Sequence, residues 1–223
     1  MTSGRGRLPS LSVALAGIPA GVQPLGPWGG RRQLFVRFAV EAETATIYSA
    51  AALRGDLARL AGRSRYHSVA VTGGDVLAEI DFLLEAFSQP ETLPVMLDHD
   101  GQRPEALERL LPSLAMVQVT MEGSEGQVAV ERACASIACA AHMRVAHAVA
   151  IVPTGTLSDG PLLRIVEQMH DASSDTQVLV HPVHEGTTEY ERRWVHWLER
   201  AMTVHADVRV VPRPPVATRM VGS

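Results

Sequence analysis

Two short stretches carry the residue types that metal or proton chemistry needs. Asp98-His99-Asp100 closes one apolar run, and His181-Pro182-Val183-His184 closes another. Imidazole and carboxylate together bind divalent metals, and they also donate and accept protons. The proline between His181 and His184 breaks the strand, so the two rings need not point the same way. The same residues also fit the polar rim of an open sheet, and their spacing does not separate these readings. A third stretch, Thr72-Gly73-Gly74-Asp75, follows the apolar residues 69–71. Its glycines allow a sharp turn and close approach of a ligand, and Asp75 stands where a helix cap belongs. Arg37 lies in an apolar run. Depending on register it reaches a cavity and grips a carboxylate through both nitrogens, or it pairs with a neighbouring acid. Glu122 ends another run, either as a hydroxyl-binding carboxylate or as a solvated turn residue. Trp28 sits in a Gly/Pro-rich stretch, where it covers a ligand or packs against a subunit. Arg213 follows the last apolar run.

For these residues to meet, strands must bring them to one edge. Residues 33–39, 68–72, 93–97, 116–121, 145–152, 176–183 and 207–211 read as strands. Residues 50–61, 76–88, 104–111, 126–142, 158–170 and 188–204 read as helices, the first with Leu53, Leu57 and Leu60 on one face. Residues 11–16 form a first strand, 17–30 a loop and 1–10 a flexible leader. Strand and helix alternate throughout, which predicts βαβ units and a parallel sheet in a single domain from residue 11 to 223. Such a sheet is open or half closed, and ligands bind beyond the carboxyl ends of its strands. All the polar stretches above fall at those ends. Trp194, Trp197 and Leu198 share one late helix and serve either the core or an interface. His142, His147, His170, His196 and His205 read as surface or packing residues.

Composition removes several classes of function. The chain has 223 residues, is 46% hydrophobic and carries a formal net charge of -4. That supports a large core and offers no basic face to nucleic acid. All 20 basic residues are arginine. The lack of lysine excludes Schiff-base chemistry and a Walker-type phosphate loop. Cys134 and Cys139 lie in one apolar helical run and read as small packing residues. No run is long enough to span a membrane. A soluble, cytoplasmic protein with a small-molecule ligand is expected.

The order of landmarks resembles the radical S-adenosylmethionine (SAM) fold, and most of all its short 7-carboxy-7-deazaguanine synthase branch. Four stretches carry the likeness: residues 26–38, 71–75, 94–111 and 208–212. The resemblance implies a partial (β/α)6-type barrel, a homodimer and a SAM ligand. Its amino group would be received by the turn Thr72-Gly73-Gly74-Asp75, with Asp100 and Glu122 as further contacts. Trp28, Arg37, His184 and Arg213 are expected as substrate contacts. The departures are as informative. The family's CxxxCxxC positions fall near Glu41, Ala45 and Tyr48, and residues 39–52 contain no cysteine. Without thiolates there is no 4Fe–4S cluster and no radical cleavage of SAM. Asp75 replaces the family's Glu, and Val76 its Pro. No lysine lies near residues 120–123, and Arg213-Pro214-Pro215 replaces the closing Gln-x-His-Lys.

Three functions follow as expectations. The first is an enzyme that keeps a SAM or nucleoside-metabolite pocket and works by polar alkyl transfer or elimination in small-molecule biosynthesis, with Asp98, His99 and His181 as catalytic residues. The second is an inactive subunit or scaffold pairing with an active partner. The third is a metal-dependent lyase or hydrolase using the His/Asp rim.

Overall fold

The structure, a computed structural model, describes residues 11–40, 45–89, 93–123, 126–153, 158–184 and 186–213. The expected leader, residues 1–10, lies outside them. Ten strands form one sheet: β1 (Ser12–Gly17), β2 (Ala20–Val22), β3 (Arg32–Phe38), β4 (Thr46–Ser49), β5 (Ser68–Thr72), β6 (Val95–His99), β7 (Met116–Glu122), β8 (Ala146–Val152), β9 (Gln177–Val180) and β10 (Val208–Val210). The helices are α1 (Ala50–Ala61), α2 (Ile80–Ala86), α3 (Pro104–Leu110), α4 (Gln127–His142), α5 (Asp159–Ala172) and α6 (Thr188–Met202). No helix among the described residues is long and apolar enough to cross a membrane.

From β3 through β5, β6, β7, β8 and β9 to β10 the strands are parallel and lie side by side in chain order. Each crossover therefore steps the same way, and the right-handed rule puts every connecting helix on the same face. The packing follows. Leu34, Val36, Val69, Val71, Leu97 and Val117 meet α1, α2 and α3. Val119, Val149, Ile151, Val178 and Val180 meet α4, α5 and α6. Trp194 and Trp197 are buried in this second cluster, so both belong to the core. Side chains alternate along a strand, so the intervening residues face the other way. There a smaller apolar layer forms from Phe35, Ala70, Met96, Met116, Ala148 and Leu179, with Trp28 packed on it. Among the described residues, Trp28 of the loop before β3 covers that second face.

Four expectations need correction. The sheet is mixed: β1, β2 and β4 join its β3 side antiparallel. The stretch 17–30 holds a short strand, β2, which hydrogen-bonds along β3. Residues 76–88 begin as a 3-10 turn, Val76–Glu79, and only then continue as α2. The strand expected at 93–97 sits two residues later, so Asp98 and His99 belong to β6 itself. β4 lies within residues 39–52, where the resembling family carries its cluster loop, and it pairs with β1.

Candidate functional site

The sheet register assembles one polar row on the helix-free face. Arg37 pairs with Thr72 across β3 and β5, and Asp98 pairs with Gln118 across β6 and β7. Val71 pairs with Leu97, which sets Thr72 beside Asp98. Arg37, Thr72, Asp98 and Gln118 are thus consecutive across four strands, near their carboxyl ends. A cavity of about 610 Å³ opens over this row, lined by Arg37, Thr72, Gly73 and Asp98 with Gln23, Phe35 and residues of β1 and β2. Arg37 forms no ion pair among the described residues. Its guanidinium stands 5.5 Å from the Phe35 ring centre.

Asp98 is held by a short relay. Thr120 donates its hydroxyl to Asp98 Oδ1 at 2.6 Å, and Gln118 Nε2 donates to Thr120 Oγ1 at 3.1 Å. Burial pushes the Asp98 carboxyl above its usual range, against the pull of Thr120, Gln118 and Gln23. Gln23 is buried, and its Nε2 has no partner in hydrogen-bond geometry. It is near enough to act on the carboxylate and still leaves a donor open.

Gly26 pins the loop above this row. It adopts φ +78°, and a Cβ there would stand 1.8 Å from Gln118 Oε1. Its N–H donates to His181 Nε2 at 3.0 Å, while His181 Nδ1–H donates to the Val211 carbonyl at 3.1 Å. Both ring nitrogens of His181 are therefore occupied, and burial followed by the nearby Arg213 holds its pKa below the usual value. In the structure the His181 ring ties the loop to the end of β9.

His99 lies on the other face of the sheet. It points to the helix side, away from Asp98, and is buried. Its Nδ1 accepts from the Gly101 N–H at 3.3 Å, and its Nε2 has no partner. Burial lowers its pKa to about 4. Asp98 and His99 therefore cannot form an acid–base pair on one substrate.

The remaining residues scatter around the rim. Asp75 neither caps a helix with its side chain nor lines the cavity. Arg103 holds it, with Nε donating to Oδ1 at 3.0 Å and to Oδ2 at 2.7 Å. That hydrogen bond, ahead of other causes, keeps the Asp75 carboxyl below its usual range. The two side chains are 34% and 46% exposed, so the pair is worth at most about 1 kcal/mol. A ligand ammonium can compete for that carboxylate, and Gly73 of the same turn lines the cavity.

Asp100 accepts from the Gln102 backbone and side chain and closes a local turn. Glu122 is exposed at the end of β7. His184 is exposed, its ring edge-on to Tyr190 at 5.6 Å. Arg213 joins the end of β9 through the bridge from Val183. Trp28 meets His67 edge-on at 4.8 Å, just before the start of β5, so it packs at the opposite end of the strands from the cavity. Among the described residues no three His, Cys, Asp or Glu side chains converge. A second groove of about 360 Å³ is lined mainly by residues of α4 and α5, away from this row.

Gln23, Gln118 and Thr120 belong to the site and were not singled out from the sequence. Gln118 and Thr120 left a readable signal, as polar residues at alternate positions of an apolar strand. Gln23 left none, because only the fold of its loop brings it to Asp98. Compared with known proteins, the chain matches no family model and no curated protein sequence.

Proposed function

We propose that the chain is a small-molecule enzyme acting by polar chemistry in the cavity over Arg37, Thr72 and Asp98. The observation that carries this reading is one polar row that holds a partly buried carboxyl and a guanidinium with no ion pair among the described residues. A preorganised site of this kind positions a substrate and moves a proton without a metal or radical. Arg37 holds a ligand carboxylate, Thr72 and Gly73 line its path, and Asp98 exchanges a proton with it. The raised Asp98 pKa brings the group closer to neutrality, where acid–base catalysis works best.

The ligand class rests on the resemblance: SAM or a related nucleoside metabolite, its amino-acid end at residues 72–75. When bound, SAM supplies an activated carbon for polar alkyl transfer or elimination. Asp98 would take the proton the substrate loses. The fold reading belongs here too. A parallel sheet in chain order with all helices on one face supports a radical-SAM-like partial (β/α)6 barrel lacking its cluster.

The test is calorimetric titration of SAM and S-adenosylhomocysteine into the wild type, Arg37→Gln and Asp98→Asn. Micromolar binding weakened at least tenfold by Arg37→Gln is the expected result. No heat from either ligand removes the SAM reading. A scaffold role is the second reading. It is favoured by the structural engagement of His99 and His181 and by the internal pairing of Asp75 with Arg103. Ligand binding without turnover, together with capture of an active enzyme partner, would support it.

A further inference from the structure

The cavity beside Arg37 has a mixed lining. Arg37, Thr72, Asp98 and Gln23 supply polar groups, and Phe35, Val22 and Val40 supply apolar surface. Val22 is 62% exposed and Val40 82% exposed. A single exposed valine needs no explanation. These two stand on one cavity with the Arg37 guanidinium, which has no ion pair among the described residues. The buried Gln23 lines it too, its Nε2 without a partner. An unpaired buried donor costs free energy unless something else accepts from it.

We propose that the cavity takes an amphipathic organic acid: a carboxylate with an apolar body. The carboxylate lies at Arg37, and an acceptor atom of the ligand meets Gln23 Nε2. The body lies on Phe35, Val22 and Val40 toward the mouth. The sign of the charge follows from the lining. Arg37 is the one cation among the described lining residues and forms no ion pair among them, whereas Asp98 already accepts from the Thr120 hydroxyl. A purely polar acid would leave both valines in water, whereas an apolar body removes them from it. This inference rests on the cavity being the ligand site and names the class of ligand that Arg37 holds there.

The experiment titrates straight-chain carboxylates, from butanoate to decanoate, into the full chain, with S-adenosylhomocysteine in parallel. The variants are Arg37→Gln and the double variant Val22→Ser with Val40→Ser. All three substituted residues are exposed, and melting curves check that the fold survives. The expected result is a Kd that falls about fourfold for each added methylene, the factor that 0.8 kcal/mol per methylene gives. Arg37→Gln should weaken every acid at least tenfold. The valine variant should flatten the dependence on chain length and leave butanoate unchanged.

Binding of S-adenosylhomocysteine or butanoate with no chain-length dependence overturns the amphipathic class and leaves the ligand site standing. Binding by no probe overturns both. A chain-length dependence that survives in the valine variant puts the apolar body elsewhere and overturns the assignment. Sedimentation that shows a wild-type dimer and a monomeric valine variant, with no acid bound, makes the valines a subunit contact and overturns it as well.

Discussion

Asp98 and His99 are adjacent in the chain and stand on opposite faces of the sheet. Asp98 looks onto the cavity, and His99 is buried on the helix side. Burial acts on both, and in each case it favours the neutral form. The carboxyl is pushed up and the imidazole down. The two residues therefore respond to pH independently, one from the site and one from the core.

Asp98→Asn should abolish turnover and stabilise the protein. An unfolded Asp titrates near 3.8, and the folded group titrates higher. As pH rises from 3.8 the unfolded state loses its proton first, so stability falls until the folded pKa is passed. Asparagine removes that loss, worth about 1.4 kcal/mol for each pH unit of elevation. Urea unfolding of both proteins at pH 4 and pH 7 measures it. A variant less stable than wild type at pH 7 would contradict the account.

His99 and His181 should together set the acid limb of stability. Both have folded pKa values below 6.5, His99 at about 4. Their contribution is complete above pH 6.5 and is lost as pH falls through the folded values, because the unfolded state takes protons first. For His99 the span from 6.5 to about 4 corresponds to roughly 3 kcal/mol. His99→Leu should flatten the limb between pH 6.5 and 4 in chemical denaturation. An unchanged slope sinks the assignment.

Gly26→Ala and Gly30→Ala should differ sharply. Both glycines have nearly the same positive φ, +78° and +79°, so the conformational cost of about 1 kcal/mol is shared. A Cβ on Gly26 meets Gln118 Oε1 at 1.8 Å, whereas one on Gly30 meets nothing within 4 Å. Gly26→Ala should cost about 2 kcal/mol more and weaken ligand binding by displacing Gln118. Equal melting temperatures for the two variants would show that the loop relaxes freely.

Arg103→Ala should cost no more than about 1 kcal/mol, since its pair with Asp75 is exposed. It also frees Asp75. If the turn receives a ligand ammonium, SAM should bind up to about fivefold tighter to this variant, the factor 1 kcal/mol gives. Calorimetry reads the change. Unaltered SAM affinity in both Arg103→Ala and Asp75→Ala would place the ligand away from residue 75.

Much of the fold was legible in the sequence. Apolar runs at residues 68–72 and 145–152 read as buried strands because their side chains are covered on both faces. The helix at residues 50–61 was readable from its leucine spacing, and its Ser49 cap accepts from the Ala52 N–H at 3.2 Å. The antiparallel edge was not legible. β2 and β4 have three and four residues, and neither makes a strand without the neighbour it pairs with.

The sequence by itself determined that acids, histidines and glycines collect at the carboxyl ends of strands, and that no cysteine is there to build a cluster. Arg37 left its two outcomes open, because a strand residue faces one side or the other according to register. Tertiary structure decided that register. It turned Arg37 and Asp98 onto one face, sent His99 to the other and engaged both nitrogens of His181. It also brought Gln23, from a loop before β3, to the carboxylate on β6. Such placements depend on which strands become neighbours, and pairing across 75 residues (Gln23 to Asp98) leaves no mark on local spacing.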